Sequence, residues 1–350
     1  MEKEYLGYKK YVWFMGVVED INDPLSLSRV KVRMVSLHSE IKEILPTEEL
    51  HWAIVSMPTT SASTSGIGHS PSGLVQGSWV WGFFLDGEDA QQPMVCGSWH
   101  GIPEPGGDPN LGFNDPDGEF PRYTDEPDTN KLSRGENTIE DYVDDKINNP
   151  PSQYAATYPN NKVIETTSGH IIEVDDTPGV ERIRVFHTSN TFIEMHPNGD
   201  VVQYGANNNF RVVTSNDSLR VKGNVTVFVD GNADMTVTGN VTQTVEEGSV
   251  TQTVAQGNVT QDITVGNVTQ TVGGNVDQTV SGALTLDISK NATVTVPTTN
   301  WTGNINLTGD INITGTSTAS GDHVSAGISG KGHTHTDTAG LGAGTTSTPQ

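Results

Sequence analysis

Between Val221 and Gly315, Val, Ile or Leu alternate with Thr, Gln or Asp in short runs such as Val241-Thr-Gln-Thr-Val245 and Val268-Thr-Gln-Thr-Val272. A period of two predicts strands with one buried face. The runs are punctuated by glycine, or a residue in its place, at Gly223, Gly231, Gly239, Gly248, Gly257, Gly266, Gly274, Gly282 and Lys290, in steps of eight or nine. Asparagine follows at seven of these nine positions, which marks a tight turn. Each unit is therefore one short strand and one turn. At Gly303, Gly309 and Gly315 the step falls to six, while Ile305-Asn-Leu307 and Ile311-Asn-Ile313 keep the alternation.

A fixed short period over so long a stretch predicts a solenoid or fibre in which each unit rests on its neighbours. One strand per unit supplies a single wall of a prism, so the other walls must come from other chains, and three chains wound together close it. The valines are then expected to face a shared axis, with Thr, Asn and Gln facing water and glycine at the corners. About a dozen strands stacked ~4.7 Å apart give a shaft on the order of 55 Å long.

Apolar density rises again near the N-terminus. Five candidate strands are Val12–Glu19, Arg29–Val35, Trp52–Met57, Ser78–Leu85 and Met94–Ser98. In the second, Val30, Val32 and Met34 alternate with Lys31 and Arg33, after a turn at Asn22-Asp-Pro24. Five strands in so short a stretch predict a small closed barrel, most simply an OB-fold. Aromatic residues crowd the same stretch, from Trp13 and Phe14 through Trp52, Trp79, Trp81, Phe83 and Phe84 to Trp99. On an OB barrel such residues either stack single-stranded nucleic acid or fill the barrel and an oligomer interface. The absence of a basic groove favours the second.

Composition and charge narrow the class. With 38 Gly, 18 Pro and 33% hydrophobic residues, the 350-residue chain does not describe one large globular core. A formal charge of −24 disfavours nucleic acid and anionic lipid as bound partners. No apolar run is long enough for a membrane span and no signal-like N-terminus is present, so a chain made soluble in the cytoplasm is expected. The single cysteine, Cys96, excludes an intrachain disulfide framework and is expected to be a small buried hydrophobe. Residues 104–147 hold 13 acidic against 4 basic residues among Pro, Gly and Asn, and so predict a linker. The carboxylate pairs Asp144-Asp145 and Asp175-Asp176 could suggest glycoside hydrolysis, but adjacent carboxylates point to opposite faces of a strand and suit charged turns better. From 163 to 214, strands ending in Pro-Gly and Pro-Asn-Gly form a transition, with His170, His187 and His196 expected as surface or interface residues.

Several separate stretches, in order, resemble the OB domain of the central spike proteins of T-even-type phage baseplates. They are Trp13-Phe-Met-Gly-Val-Val-Glu-Asp20, Asp23-Pro-Leu-Ser-Leu-Ser-Arg-Val-Lys-Val-Arg33, Leu45-Pro-Thr-Glu-Glu-Leu50, Thr60-Ser-Ala-Ser-Thr-Ser-Gly-Ile-Gly68, Gly82-Phe-Phe-Leu-Asp86 and Gly112-Phe-Asn-Asp-Pro-Asp-Gly-Glu-Phe-Pro-Arg122. The repeat is similar to the Val-x-Gly octads of the same spikes, as at Val221-Lys-Gly223 and Val280-Ser-Gly282. In that family the region after the OB domain leads into a peptidoglycan-cleaving lysozyme domain. Here no such domain and no Glu-led hydrolase motif intervenes before Lys162. The stretch 163–214 is also similar to the start of the prism in valine-glycine repeat proteins of type VI secretion systems.

After Gly315 the chain is mostly Ser, Ala, Gly and Thr until Gly330-Lys-Gly-His-Thr-His-Thr336. His333 and His335 are two apart and point the same way on a strand. On a threefold axis they would place six imidazoles around one point, an array that suits iron, nickel or a similar first-row metal better than tetrahedral zinc. The stretch Ser325-Ala-Gly-Ile-Ser-Gly-Lys-Gly-His-Thr-His-Thr336 is similar to the tip of the short baseplate spikes of P2-like phages. That resemblance implies one metal ion per trimer, iron, held by a His-x-His from each chain.

The expected molecule is an all-β homotrimer. An OB-fold domain (1–103) and an acidic linker (104–162) precede the start of a β-prism (163–220), an intertwined octapeptide-repeat trimeric β-helix (221–315) and a metal-clamped tip (316–350). The resemblance implies a non-enzymatic spike of the virion tail baseplate, assembled in the host cytoplasm and docked through the OB domain to the hub at the end of the tail tube. On sheath contraction it would make transient contact with the host outer membrane, with no nucleic acid and no small-molecule substrate. The rival readings are a spike of a type VI or extracellular injection system, a spike with residual peptidoglycan-degrading activity, and a receptor-binding fibre.

Overall fold

A computed structural model describes residues 11–102, 110–113, 126–326 and 328–330. The chain divides into two compact units, Met1–Thr242 and Gln243–Gln350. In the first, strands β1 (Trp13–Asp20), β2 (Val30–Met34), β3 (Trp52–Val55), β4 (Trp79–Phe84) and β5 (Pro93–Ser98) close a barrel in the order β1-β2-β3-β5-β4. All pairs are antiparallel except β3 with β5. Phe14, Val18, Val30, Val32, Met34, Ala53, Val80, Phe84 and Val95 fill it. Gly82 is required where β4 meets β5, because a Cβ there would lie 1.9 Å from the Met94 carbonyl oxygen.

Alternation in β2 predicts one exposed face, yet all five of its residues are buried. The loop after β2 covers the outer face, and its backbone carbonyls accept from both cations. Arg33 forms a fully buried bidentate pair with Glu19, Nε to Oε1 at 2.6 Å and Nη2 to Oε2 at 3.0 Å. Its remaining N–H groups donate to the Ser39 and Leu45 carbonyls, at 2.6 and 2.8 Å. Lys31 donates to the Thr47 and Glu48 carbonyls and lies over the Trp52 ring. Gly112 closes over the ion pair. A Cβ there would lie 1.9 Å from Arg33 Cδ, so only glycine lets residues 110–113 cross the guanidinium.

The Asn22-Asp-Pro24 turn is held by one carboxylate. Asp23 accepts from the Arg29 guanidinium and from the backbone N–H groups of Leu25, Leu27 and Arg29. The guanidinium first, then the three amides, hold its carboxyl far below the ordinary carboxylate range. A group with a depressed folded pKa contributes stability above its unfolded pKa, about 3.9, and loses it as pH falls toward the folded value. In carbon-detected NMR, Asp23 is expected to stay ionised at about pH 3, where a free aspartate is mostly protonated. Titration at the free value would contradict the clasp.

A second sheet follows in the same unit: β6 (Asn161–Glu165), β7 (Ile171–Asp175), β8 (Arg182–His187), β9 (Thr191–Met195) and β10 (Val201–Tyr204), an antiparallel meander in chain order. Its two faces are inverted relative to an ordinary surface sheet. The covered face carries charge, with Glu173 opposite Arg184, Arg184 opposite Glu194, and Asp175 opposite Arg182. The open face carries two apolar rows, Ile164-Ile172-Val185-Ile193 and Val174-Ile183-Met195-Val201.

What covers the charged face is the acidic stretch itself. Among the described residues of 104–162, those from 126 to 160 lie against it. Leu132 is buried, its carbonyl accepts from Tyr154 Oη at 2.7 Å and Asn161 Nδ2 at 3.1 Å, and Ser152 Oγ donates to Glu194 at 2.7 Å. Tyr142 stacks on Tyr204 at 4.0 Å.

From Gly205 to His323 the described chain carries no strand within a single copy. It is extended and bends at fixed intervals. The bends begin at 206–207 and 214–215, two turns before the first glycine of the repeat, with Asn207 and Ser215 in its place. Two kinds of turn alternate with sequence spacing. Where the step is nine, at Gly248, Gly257 and Gly266, and where it is six, at Gly303, Gly309 and Gly315, the glycine has a positive φ. At the other turns it does not, which explains why Lys290 can stand in the glycine's place. Gly257→Ala is therefore expected to cost about 1–3 kcal/mol per chain. Gly239→Ala, at a turn without positive φ, is expected to be neutral or to stabilise by up to ~1 kcal/mol. Thermal melting of the two variants checks this; equal losses would contradict the two-turn distinction. A two-stranded element, β11 (Val324–Ser325) with β12 (Ile328–Ser329), follows the repeat.

One expectation fails on parity. In Val241-Thr-Gln-Thr-Val245 the glutamine is two residues from each valine, so it shares their face and only the threonines take the other.

Candidate assembly surface

No cluster of three or more His, Cys, Asp or Glu suited to a metal occurs among the described residues. One carboxylate of each adjacent pair serves the backbone, and the other lies beside a lysine, Asp145 by Lys146 and Asp176 by Lys162. Asp144 accepts from Lys146 and Ile147 N–H, which lowers its pKa, and Asp175 accepts from Thr177 N–H. His196, expected at a surface or an interface, is buried within the chain with Nε2 3.3 Å from Glu194. His170 and His187 lie with ring centroids 4.4 Å apart. His333 and His335 lie outside the described residues. What the described chain presents instead is apolar surface in three places.

The first is on the barrel exterior. Trp13 packs on Trp81 and Phe83, at 5.7 and 5.4 Å between centroids, and Tyr11 adds to the group. Trp13, Met15 and Trp81 remain about half exposed beside a cleft of about 580 Å³ that also takes in Val35, Leu37 and Trp99. The aromatics thus divide: Phe14 and Phe84 are core, and the tryptophans face out. Their outward position follows from β1 and β4 parity, legible in Trp13-x-Met15 and Trp79-x-Trp81.

The second surface is the open face of the five-stranded sheet. Ile172, Ile183, Val185, Ile193 and Met195 are each 42–50% exposed on it. The opposite face shows why it cannot turn inward: Arg182 bonds Glu173 at 2.7 Å, and Arg184 forms an ion pair with Glu194 at 3.1 Å, all of them buried. Burial lowers the Arg184 pKa, against the pull of Glu194. Arg182 lies over the Tyr154 ring, and the Tyr154 hydroxyl is pushed up to about 12, by burial and then by Glu173.

The third surface is the valine face of the repeat. Residues six after each turn, such as Val245, Val254, Val272 and Val280, are 43–45% exposed, and those two after it, such as Val250, Val259 and Val268, are 65–67% exposed. Contiguous apolar area of this extent marks a contact surface.

The Gp5 N-terminal OB domain family matches residues 36–179, from the loop over the Arg33–Glu19 pair to the turn after β7. Protein Gp5 of Vibrio phage KVP40 is 33% identical over 289 residues, which is 69% of this chain and 68% of that protein. The chain belongs to the Gp5 family of central spike proteins of contractile phage tail baseplates. Pre-baseplate central spike protein Gp5 of Enterobacteria phage T4 is 44% identical over 128 residues, 35% of this chain and 22% of that one. As a Gp5 homologue the chain is a structural component of the virion, placed in the tail baseplate, and the barrel is the family's OB domain.

Proposed function

We propose that three copies of this Gp5 homologue associate through the open sheet face and the valine face of the repeat to form a rigid, non-enzymatic spike. The observation that carries this is the inverted sheet. Its charged face is already covered by residues from 126–160 of the same chain, and the apolar rows on its other face stay exposed among the described residues and free to meet other chains. The repeat needs partners for a second reason: its backbone N–H and C=O groups find no strand within one copy, and extended backbone buries only when such groups are paired.

In this reading the OB barrel docks the spike to the hub at the end of the tail tube, with the Trp13–Trp81 face supplying the apolar area such a contact uses. Sheath contraction then drives the needle through the host outer envelope. The work is mechanical, and stiffness comes from a continuous apolar seam. A metal ion shared by His333 and His335 of three chains would clamp a glycine-rich tip that has little apolar area of its own; iron is the ion the sequence favours. Elemental analysis of the purified protein is expected to give one metal ion per three chains, lost in His333→Ala, and a metal-free trimer would remove the clamp. A peptidoglycan zymogram is expected to stay uncleared. Electron microscopy of the intact baseplate is expected to place three copies on the tail axis, and a single or off-axis copy would defeat the proposal.

A further inference from the structure

The parity of the repeat carries an inference that rests on this three-chain reading. Three columns share the valine face, at two, four and six residues after each turn. Next to the turns from Gly239 to Gly274 the outer two columns are uniform: Val at every second position, and Val or Ile at every sixth. The middle column is banded. It holds Gln243, Gln252, Gln261, Gln270 and Gln278 in five consecutive units. Leu219, Val227 and Met235 precede the band, and Leu286 and Val294 follow it.

A uniform valine column cannot tell one layer from the next, so chains joined only by valine could slip by whole repeats. A glutamine set between two valines on a closing face cannot keep its water. Its amide offers one acceptor and two donors, and the only groups on that face able to satisfy them are other glutamines. We propose that the five-glutamine band is a register lock, whose occupant is the same band in a second copy of the chain. In register, amides meet amides and form ladders along the fibre. Displaced by one repeat, a glutamine at one end of the band meets Leu286 or Met235 and is left unpaired. Such a polar residue within an apolar seam fixes alignment at some cost in stability.

The test uses full-length chains with Cys96→Ser. One chain carries Leu286→Cys and a size tag; its co-expressed partner carries Val294→Cys. Mild oxidation with the native band is expected to give 286–286 and 294–294 disulfides and only traces of 286–294. With all five glutamines replaced by leucine, the 286–294 product is expected to rise at least about tenfold, since one unpaired buried amide shifts an equilibrium by roughly that factor. Should the leucine variant not fold, a gentler pair decides. Moving the band one unit with Gln243→Leu and Leu286→Gln on the Val294→Cys chain is expected to make 286–294 the main product against an unshifted Leu286→Cys chain. A trimer that keeps only like-with-like disulfides in either experiment overturns the lock, and leaves register to the nine-residue turns at Gly248, Gly257 and Gly266. Light scattering on the same samples separates this from failure of the three-chain reading, which a monomeric native chain would show directly.

Discussion

Replacing Arg33 by methionine is expected to cost the barrel about 3–5 kcal/mol, enough to unfold a marginal domain, because Glu19 would be left as a buried charge without its partner. Both side chains have no solvent exposure, and among the described residues Glu19 keeps only the Thr47 hydroxyl, at 2.8 Å, as a neutral side-chain donor. The loop from Ser39 to Leu45 would also lose the two carbonyl contacts that hold it on β2. Denaturant unfolding followed by tryptophan fluorescence reads the barrel, which carries five of the six tryptophans. The double variant Arg33→Met with Glu19→Leu is expected to regain most of the loss, because removing both charges leaves nothing buried and unpaired. A loss below about 1 kcal/mol in the single variant would mean that water reaches Glu19 and that the pair does not organise the loop.

Ile193→Asp has the second large effect, and it acts on assembly. Ile193 sits mid-row between Val185 and Gln203 on the open sheet face, so three copies would bring three carboxylates into one apolar seam. Each uncompensated charge costs several kcal/mol in such a place, and the three repel one another. The trimer is expected to dissociate at micromolar concentration, while the charged face under residues 126–160 keeps the sheet folded. Thr242→Asp, on the opposite parity of the repeat, is expected to leave the mass unchanged. If both variants ran at the same mass as the parent chain, the open face would not be the contact surface.

How far the sequence reveals this arrangement differs from element to element. The five barrel strands are legible to within about two residues because their core residues alternate cleanly, and the family resemblance in Trp13–Asp20 and Asp23–Arg33 is carried by the same positions. The outer face of β2 is not legible. Lys31 and Arg33 read as solvent-facing, and only the tertiary placement of a loop and of Gly112 buries them. The second sheet hides its sense for a different reason. Ile171-Ile-Glu-Val-Asp175 announces two faces of opposite character, but nothing local says that the charged one is covered, since the cover lies up to some 40 residues away in sequence, as in Ser152 to Glu194. The acidic composition of that cover reads as a linker. Instead Asp141 reaches Arg184 at 4.0 Å, and Ser152 bonds both Arg182 and Glu194 on the charged face. In the repeat, periodicity is plain from Gly223 onward, whereas the two earlier bends at 206–207 and 214–215 lack glycine and leave no compositional trace. The glutamine column is fully written in the sequence. Its polarity suggests water, and its parity places it with the valines.

The most direct measurement is the mass of the full chain in dilute solution by light scattering coupled to size exclusion. Three times the 37.5 kDa chain mass, unchanged on dilution, is expected if the open sheet face and the valine columns are each buried against their counterparts in three copies. A peak at 37.5 kDa would contradict it, because the apolar rows of β6–β10 and the repeat would then stand in water with no partner.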